Sequence, residues 1–334
     1  MVKKEEKKTV DQLIKDLNTK FGENSVVKLS DSKVLQVAVI PTGSFSLDSA
    51  LGVGGLPKGR IVEIYGPEGG GKTTLALSVI SNAQKQKGNA AFIDIECTFD
   101  PIYAEKMGVN ISDLVLHQPN TTENSAEEAL NIVEGLMSSN LFDVIVIDSV
   151  AALEPKAEMD ATIGVQTMGL KARLMSQAMR KLAPLAYKTN TLLIFINQVR
   201  MKIGQQAWGN PETTPGGNAL KFHSSVRIDI RRISTIKDEE ESVGIAVKAK
   251  ITKNKVAPPY RQADFVILFG EGISEMTDVF NIAVEKGIIE KKGNTYSYGE
   301  EKLGVGVKNA INELKTNKVL SDKIIERIKT EDIK

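Results

Sequence analysis

An α/β fold with a mostly parallel sheet covered by helices is predicted by three observations. Apolar runs of strand length alternate with segments of helical period, as strands buried on both faces and their covering helices should. The loop Gly66-Pro67-Glu68-Gly69-Gly70-Gly71-Lys72-Thr73 stands between one such run, Ile61–Tyr65, and an apolar helical stretch from Thr74 onward. The 334 residues are 41% hydrophobic and 25% charged, enough for a substantial core in one large domain with appendages or in two domains.

Composition then narrows the function. The formal net charge is +1, so any affinity for nucleic acid must come from local clusters. The single Cys97 excludes an intramolecular disulfide framework and suits a reducing interior. No apolar run approaches a membrane span, and the N-terminus lacks the apolar core of a signal peptide, so a cytoplasmic location is expected.

Taken in order, residues 1–8 are a mixed charge run, expected to be disordered. Thr9 and Gln12 fit a capping box, Val10, Leu13, Ile14, Leu17 and Phe21 make one apolar helix face, and Gly22 stops the helix. The run Val34–Ile40 reads as a strand, so residues 1–40 form a helix–strand arm that packs on its own domain or on a neighbouring subunit. Within 41–270, strands are predicted at Ile61–Tyr65, Ala90–Ile95, Val144–Asp148 and Leu192–Asn197. Helices are predicted between them at Thr74–Gln86, Ala126–Ser138 and Leu170–Tyr187. Val226–Arg231, Ala246–Thr252 and Ala263–Phe269 follow closely and read as a mixed-sheet extension. Residues 271–334 read as a small C-terminal α+β lobe, with helices near 276–286, 307–314 and 320–328 and a hairpin at 294–298.

The glycine loop is the phosphate-binding motif G-x-x-x-x-G-K-T in its required strand–loop–helix setting. Gly66 through Thr74 wrap the phosphates with backbone N–H groups, Pro67 having none to give, Lys72 reaches the β- and γ-phosphates, and the Thr73 hydroxyl ligates Mg²⁺. The fold class is therefore a phosphate-loop ATPase core with ATP and Mg²⁺ as its ligands. Asp148 ends the run Val144–Ile147, the usual place for a second Mg²⁺-holding carboxylate; a helix cap is the plainer use of an Asp-Ser pair. Glu96 follows Phe92–Ile95 at another strand end, where a carboxylate can orient and deprotonate water, or can merely be a solvated acid. Gln198 ends the run Leu193–Asn197, and an uncharged amide there can sense a γ-phosphate or simply terminate the strand.

Two irregular segments flank this site. One spans 158–169 and leads to Lys171, Arg173, Arg180 and Lys181; the other spans 199–218 and holds Arg200, Lys202 and the chain's only tryptophan, Trp208. Locally basic loops beside an ATP site suggest single-stranded nucleic acid, with a pair of solvated loops as the alternative.

Several strings in order carry a resemblance. They are Ile61–Glu68, Asp100–Ala104, Asp148–Leu153, Met175–Leu182, Thr191–Gln198, Gly209–Thr214 and Gly216–Phe222. With them the chain resembles the bacterial RecA recombinases from about residue 9 to about 325. The resemblance implies an ATP-dependent helical filament on single-stranded DNA that performs homologous pairing and strand exchange with double-stranded DNA. It assigns Glu96 to water activation, Asp100 and Tyr103 to adenine, and Gln198 to the link between γ-phosphate and the second DNA loop. Lys253 and Lys255 match lysines that reach the ATP of the adjacent subunit. Met168, Arg173, Arg200, Gly216 and Gly217 match DNA-loop positions, with Lys202, Trp208 and Lys221 beside them, and residues 9–40 and Phe222 match interface contacts. Gly69 and Gly70 stand where serines are common, which is expected to loosen the loop. A co-protease role toward a LexA-like repressor is also implied, although Ser234 and Lys248 differ from the Gly and Arg of members that support it.

A ring-forming DNA helicase-type ATPase uses the same core and is the competing reading. A metabolic ATPase or a non-enzymatic DNA scaffold are further alternatives, disfavoured by the strings at 209–222 and by Glu96 respectively.

Overall fold

A computed structural model of the chain describes residues 9–23, 25–28, 37–119, 125–162, 169–201 and 212–331; the charge run 1–8 lies outside them. The chain divides into two compact units, Met1–Ala38 and Val39–Lys334. In the first, helix α1 (Val10–Phe21) begins with the expected reciprocal cap. Thr9 N–H donates to Gln12 Oε1 at 2.9 Å and Gln12 N–H to Thr9 Oγ1 at 3.3 Å. No residue of α1 is buried, and Val10 and Phe21 on its apolar face are well exposed.

The second unit opens with β1 (Val39–Ile40), α2 (Phe45–Leu51) and β2 (Leu56–Pro57), the two strands pairing antiparallel. Of the strand expected over 34–40 only this end is described; 34–36 lie outside the described residues. The core continues as β3 (Ile61–Gly66), α3 (Lys72–Lys85), β4 (Ala90–Asp94), α4 (Pro101–Lys106), β5 (Leu114–His117), α5 (Ala126–Ser138), β6 (Val144–Asp148) and α6 (Lys156–Met159). Next come α7 (Leu170–Thr189), β7 (Leu192–Gln198), β8 (Arg200–Met201), β9 (Glu212–Thr213), α8 (Ala219–His223), β10 (Val226–Asp238), β11 (Glu241–Asn254), β12 (Gln262–Leu268) and β13 (Gly272–Ile273). The last stretch holds α9 (Glu275–Glu285), β14 (Glu290–Lys292), β15 (Thr295–Tyr298), β16 (Glu301–Val305), α10 (Val307–Thr316) and α11 (Lys318–Glu331).

Nine strands form one sheet in the order β13-β12-β11-β10-β3-β7-β6-β4-β5. From β10 to β5 all neighbours are parallel; from β10 to β13 they are antiparallel. Successive strand residues enter opposite layers, as the pleat requires. Val62 and Ile64 pack with Leu75, Val79 and Ile80 of α3, whereas Ile61, Ile145 and Phe195 pack with Val133 of α5 and Met179 and Leu182 of α7. The α9–α11 stretch has its own core, in which the Phe280 and Tyr296 rings meet edge to face at 5.0 Å.

Three differences from expectation have physical reasons. β5 was not expected, because its four residues lie half exposed at the sheet edge and carry no buried run. β10 and β11 reach well past Arg231 and before Ala246, since their outer ends are solvated and apolarity marks only the buried part. The segment 294–298 is the middle strand of a three-stranded antiparallel sheet rather than half of a lone hairpin. Among the described residues no helix is long and apolar enough to cross a membrane.

Candidate active site

The parallel strands β3, β4, β6 and β7 end on one edge of the sheet, the edge where open α/β sheets bind ligands. Register aligns Gly66 with Gln198 and Asp94 with Asp148 along it. The glycine loop leaves β3 against a wall made by the antiparallel extension. A Cβ at Gly66 would lie 2.0 Å from Ile230 O, and one at Gly71, where φ is +90°, would lie 2.4 Å from Ile267 Cδ1. Only glycine permits that approach. Gly69 is open, whereas Gly70 is buried and a Cβ there would meet Ile230 O at 3.1 Å.

Gly71 caps α3, so the helix starts at Lys72, two residues earlier than periodicity indicates, and its unpaired N–H groups face the loop. Lys72 Nζ donates to Pro67 O at 2.7 Å. Burial pushes its pKa down, while Asp148, Glu68 and Glu96 pull it back up. Thr73 Oγ1 donates to Asp148 Oδ2 at 2.7 Å. Asp148 is only 8% exposed. Burial pushes its pKa up to about 6, against the Thr73 hydrogen bond; Glu96 and Asp94 add to the rise and Lys72 opposes it. Among the described residues no three His, Cys, Asp or Glu side chains converge as a metal cluster. That donor set, one hydroxyl and one crowded carboxylate beside a phosphate cradle, fits Mg²⁺, which keeps water and phosphate ligands.

Glu96 follows the end of β4 and is exposed toward the cleft edge. Ser149 Oγ donates to its Oε1 at 2.5 Å and Gln198 Nε2 donates to the same oxygen at 3.4 Å. Asp94 lies beneath, accepting from Phe99 N–H and Gln118 Nε2, with its Oδ1 buried and without a protein partner. Asp100 Oδ1 caps α4 by accepting from Ile102 and Tyr103 N–H, and the Tyr103 hydroxyl meets Thr74 Oγ1 at 2.7 Å. The resemblance-derived adenine pair is therefore tied to the phosphate-loop helix.

The described ends of the two irregular segments converge. A Cβ at Gly217 would lie 2.8 Å from Ala172 Cβ in the first turn of α7, and one at Gly216 3.0 Å from Val150 Cγ1. Arg173 and Arg200 are exposed, and Lys171, pushed down mainly by burial, feels the charge of Arg200. Lys221 Nζ donates to Thr213 Oγ1 at 3.1 Å. Met168, Lys202 and Trp208 lie outside the described residues.

Lys253 and Lys255 are not brought to this edge. Lys253 stands opposite Arg227, which stands opposite Glu63, three residues before Gly66. Its ammonium donates to the carbonyls of Lys221 and Phe222 at 2.6 and 2.9 Å. Lys255 lines a cleft of about 580 Å³ with Gly59, Arg60 and Phe222, at the end of the sheet where β3 begins.

Ser149, Glu63, Asn197 and Arg231 hold site contacts that the sequence does not lead one to expect. Two of these had a visible signal: Glu63 is a charge inside an apolar run, and Asn197 is polar one residue before the run ends. Arg231 pairs with Asp229 on its own strand and with Glu212 on β9, and the second is a contact between segments that no local pattern announces.

Known proteins supply the remaining comparison. The family model described as RecA N-terminal domain matches residues 8–274, and the one described as RecA C-terminal domain matches 277–331. Protein RecA of Nautilia profundicola is 53% identical over 322 residues, 96% of this chain and 91% of that protein. Protein RecA of Ehrlichia ruminantium is 52% identical over 322 residues, 96% of this chain and 89% of that protein. The crystal structure of the RadB recombinase superposes with a TM-score of 0.54 at 25% identity, covering 70% of this chain and 98% of that one. With both domain models matched in order and half of all residues shared along nearly the full length, the chain belongs to the RecA family.

Proposed function

We propose that this RecA-family recombinase, a DNA-dependent ATPase, hydrolyses ATP at Gly66–Thr74 and thereby controls a helical filament that pairs single-stranded with double-stranded DNA. One observation carries the reading. Thr73–Asp148 and Ser149–Glu96–Gln198 contacts run from the phosphate loop to the strand that feeds the basic segment 199–218.

Each residue then has a task. Backbone N–H groups of Gly66 and of Glu68 through Thr74 and the ammonium of Lys72 hold the phosphates, with Pro67 shaping the loop, and Asp100 and Tyr103 border the adenine. Thr73 and Asp148 would hold Mg²⁺, which when bound neutralises phosphate charge. Glu96 takes the proton of the attacking water, and the Ser149 hydroxyl fixes the carboxylate's orientation. Gln198 can give its amide N–H to Glu96 or to a γ-phosphate oxygen, and that choice makes it a sensor. Met168, Arg173, Arg200, Lys202, Trp208, Gly216, Gly217 and Lys221 form the DNA path.

Lys253 and Lys255, both set back from the edge that carries their own phosphate loop, serve the site of an adjacent copy in the filament. The exposed apolar face of α1 docks on a neighbour as part of the arm 1–40, with 41–270 as the ATPase core and 271–334 as the lobe. A LexA-like repressor is the further partner, and Ser234 and Lys248 on the β10–β11 pair bear on that role. The test is ATP turnover with and without single-stranded DNA, together with electron microscopy. DNA-stimulated turnover and open filaments support the reading; closed rings that unwind duplexes overturn it.

A further inference from the structure

A charged network runs through the centre of the sheet and is used by none of the roles above. Glu63, on β3, is fully buried. Its Oε2 accepts from Arg227 Nε on β10 at 2.5 Å, and its Oε1 accepts from Asn197 Nδ2 on β7 at 3.0 Å. The Arg227 guanidinium also stacks 4.5 Å from the Tyr65 ring centre, so it is held on two sides. The same Asn197 amide donates to Pro215 O at 3.2 Å, and its Oδ1 accepts from Gln198 N–H at 3.0 Å. Asn197 is itself fully buried and spends both amide hydrogens.

Gln198 opens the segment 199–218 and Pro215 lies near its close. We infer that Asn197, anchored by the Glu63–Arg227 pair, is a positioning residue that ties both stems of this segment together, so that movement of Gln198 is passed to the Pro215 side. A buried ion pair seldom stabilises a sheet more than apolar residues of equal volume. A positional task accounts for this one. The Gln198 backbone cannot shift without pulling on Asn197 Oδ1. Asn197 cannot pivot on Glu63 without displacing the Pro215 carbonyl. The stems therefore move as a pair about a fixed post. The inference rests on the reading of Gln198 as phosphate sensor and adds the route by which its state leaves the strand.

The experiment compares single-stranded DNA affinity with a non-hydrolysable ATP analogue and with ADP, and takes the ratio. Asn197→Ala should bind the analogue itself within about threefold of wild type yet lose about tenfold of the ratio, within the usual range of coupling between sites. Glu63→Gln combined with Asn197→Asp exchanges amide and carboxylate while keeping the charge of the cluster. That variant restores the contact at residue 63 but cannot donate to Pro215 O. It should melt near the wild-type temperature and still lack the ratio, a result that a merely structural role does not produce.

A folded variant of either kind with the wild-type ratio overturns the inference. Gln198→Ala separates the two levels. If it too keeps the ratio, the sensor reading has failed; if it alone loses the ratio, only the Asn197 link has failed. Should both substituted chains fail to fold, amide exchange in the wild type decides. Replacing ADP by the ATP analogue should change protection at Gln198 and at Glu212–Thr214 together, and a change at one stem alone overturns the link.

Discussion

Ser149 donates its hydroxyl to Glu96 Oε1 at 2.5 Å, so the residue just past one strand end orients the acid just past the next. The strands β4 and β6 are parallel neighbours with Asp94 opposite Asp148, which puts Glu96 and Ser149 side by side. Glu96→Gln should keep nucleotide and DNA binding and lower turnover by about 10²–10⁴-fold, the usual contribution of a positioned base. Ser149→Ala leaves the base present but less constrained and should cost roughly tenfold. Steady-state hydrolysis beside nucleotide affinity checks both, and weak nucleotide binding by Glu96→Gln would sink the assignment.

Lys72 supplies the next expectation. Its ammonium is half buried at the start of α3, bonded to a loop carbonyl. Lys72→Ala removes a point charge from the β- and γ-phosphates and should abolish productive ATP binding. Circular dichroism should be unchanged, because Lys72 is exposed enough to leave no cavity. Retained micromolar affinity for ATP would show that the loop backbone alone suffices.

Much of this site was legible because it sits where strands end. Asp148, Glu96 and Gln198 each follow an apolar run, and a phosphate loop fixes which edge of the sheet matters. Ser149 was not legible, since its role depends on which strands are neighbours and β4–β6 adjacency is a tertiary fact. The Glu63–Arg227–Asn197 contacts were hidden for the same reason, their partners being 164 and 134 residues apart. Lys253 looked like surface in its own segment; the register of β11 on β10 and of β10 on β3 is what puts it level with Glu63, set back from the edge that carries the phosphate loop.

The joint between core and lobe carries a pH dependence. Asp48 on α2 accepts from Thr42 N–H at 2.9 Å, yet burial pushes its pKa from 3.8 up to about 7. Asp278 and Glu275 of α9 add to the rise, and Arg261 and Lys329 border the same cleft. Asp278, whose pKa burial also raises, takes hydrogen bonds from Ser44 and Ser46 across this joint. A carboxylate with a raised pKa binds its proton more tightly in the folded chain. Its stabilising contribution is therefore full below pH 4 and is lost as pH rises through about 7. At about 1.4 kcal/mol per unit the effect is on the order of 4 kcal/mol. The melting temperature should fall between about pH 4 and 7 and level off above, and Asp48→Asn should flatten that slope and melt higher at pH 8. The remaining slope belongs to the other carboxylates whose pKa burial raises, Asp278 and Asp148. A wild-type melting curve independent of pH over this range would contradict the shift.

Lys253 gives the prediction with the most at stake, because its proposed role joins chemistry to assembly. Burial, with the charges of Lys255 and Arg227, pushes its pKa down to about 8. In the separate chain the ammonium is thus lost as pH rises through about 8, a neighbour's phosphates would hold its proton to higher pH, and the proposed role needs that charge. DNA-stimulated turnover should decline on the alkaline side while folding does not, since a depressed lysine pKa favours the folded state as pH rises from about 8 toward the ordinary value. Lys253→Arg stays charged and should extend the alkaline limb. Lys253→Ala should lower both filament formation and DNA-stimulated turnover while nucleotide binding at Lys72 remains. Mixing it with Glu96→Gln then tests direction. One copy brings Glu96 and the next brings Lys253, so some junctions in the mixture hold both and activity should return. If no ratio of the two recovers turnover although mixed filaments form, Lys253 does not act across the junction, and its position away from its own phosphate loop has another cause.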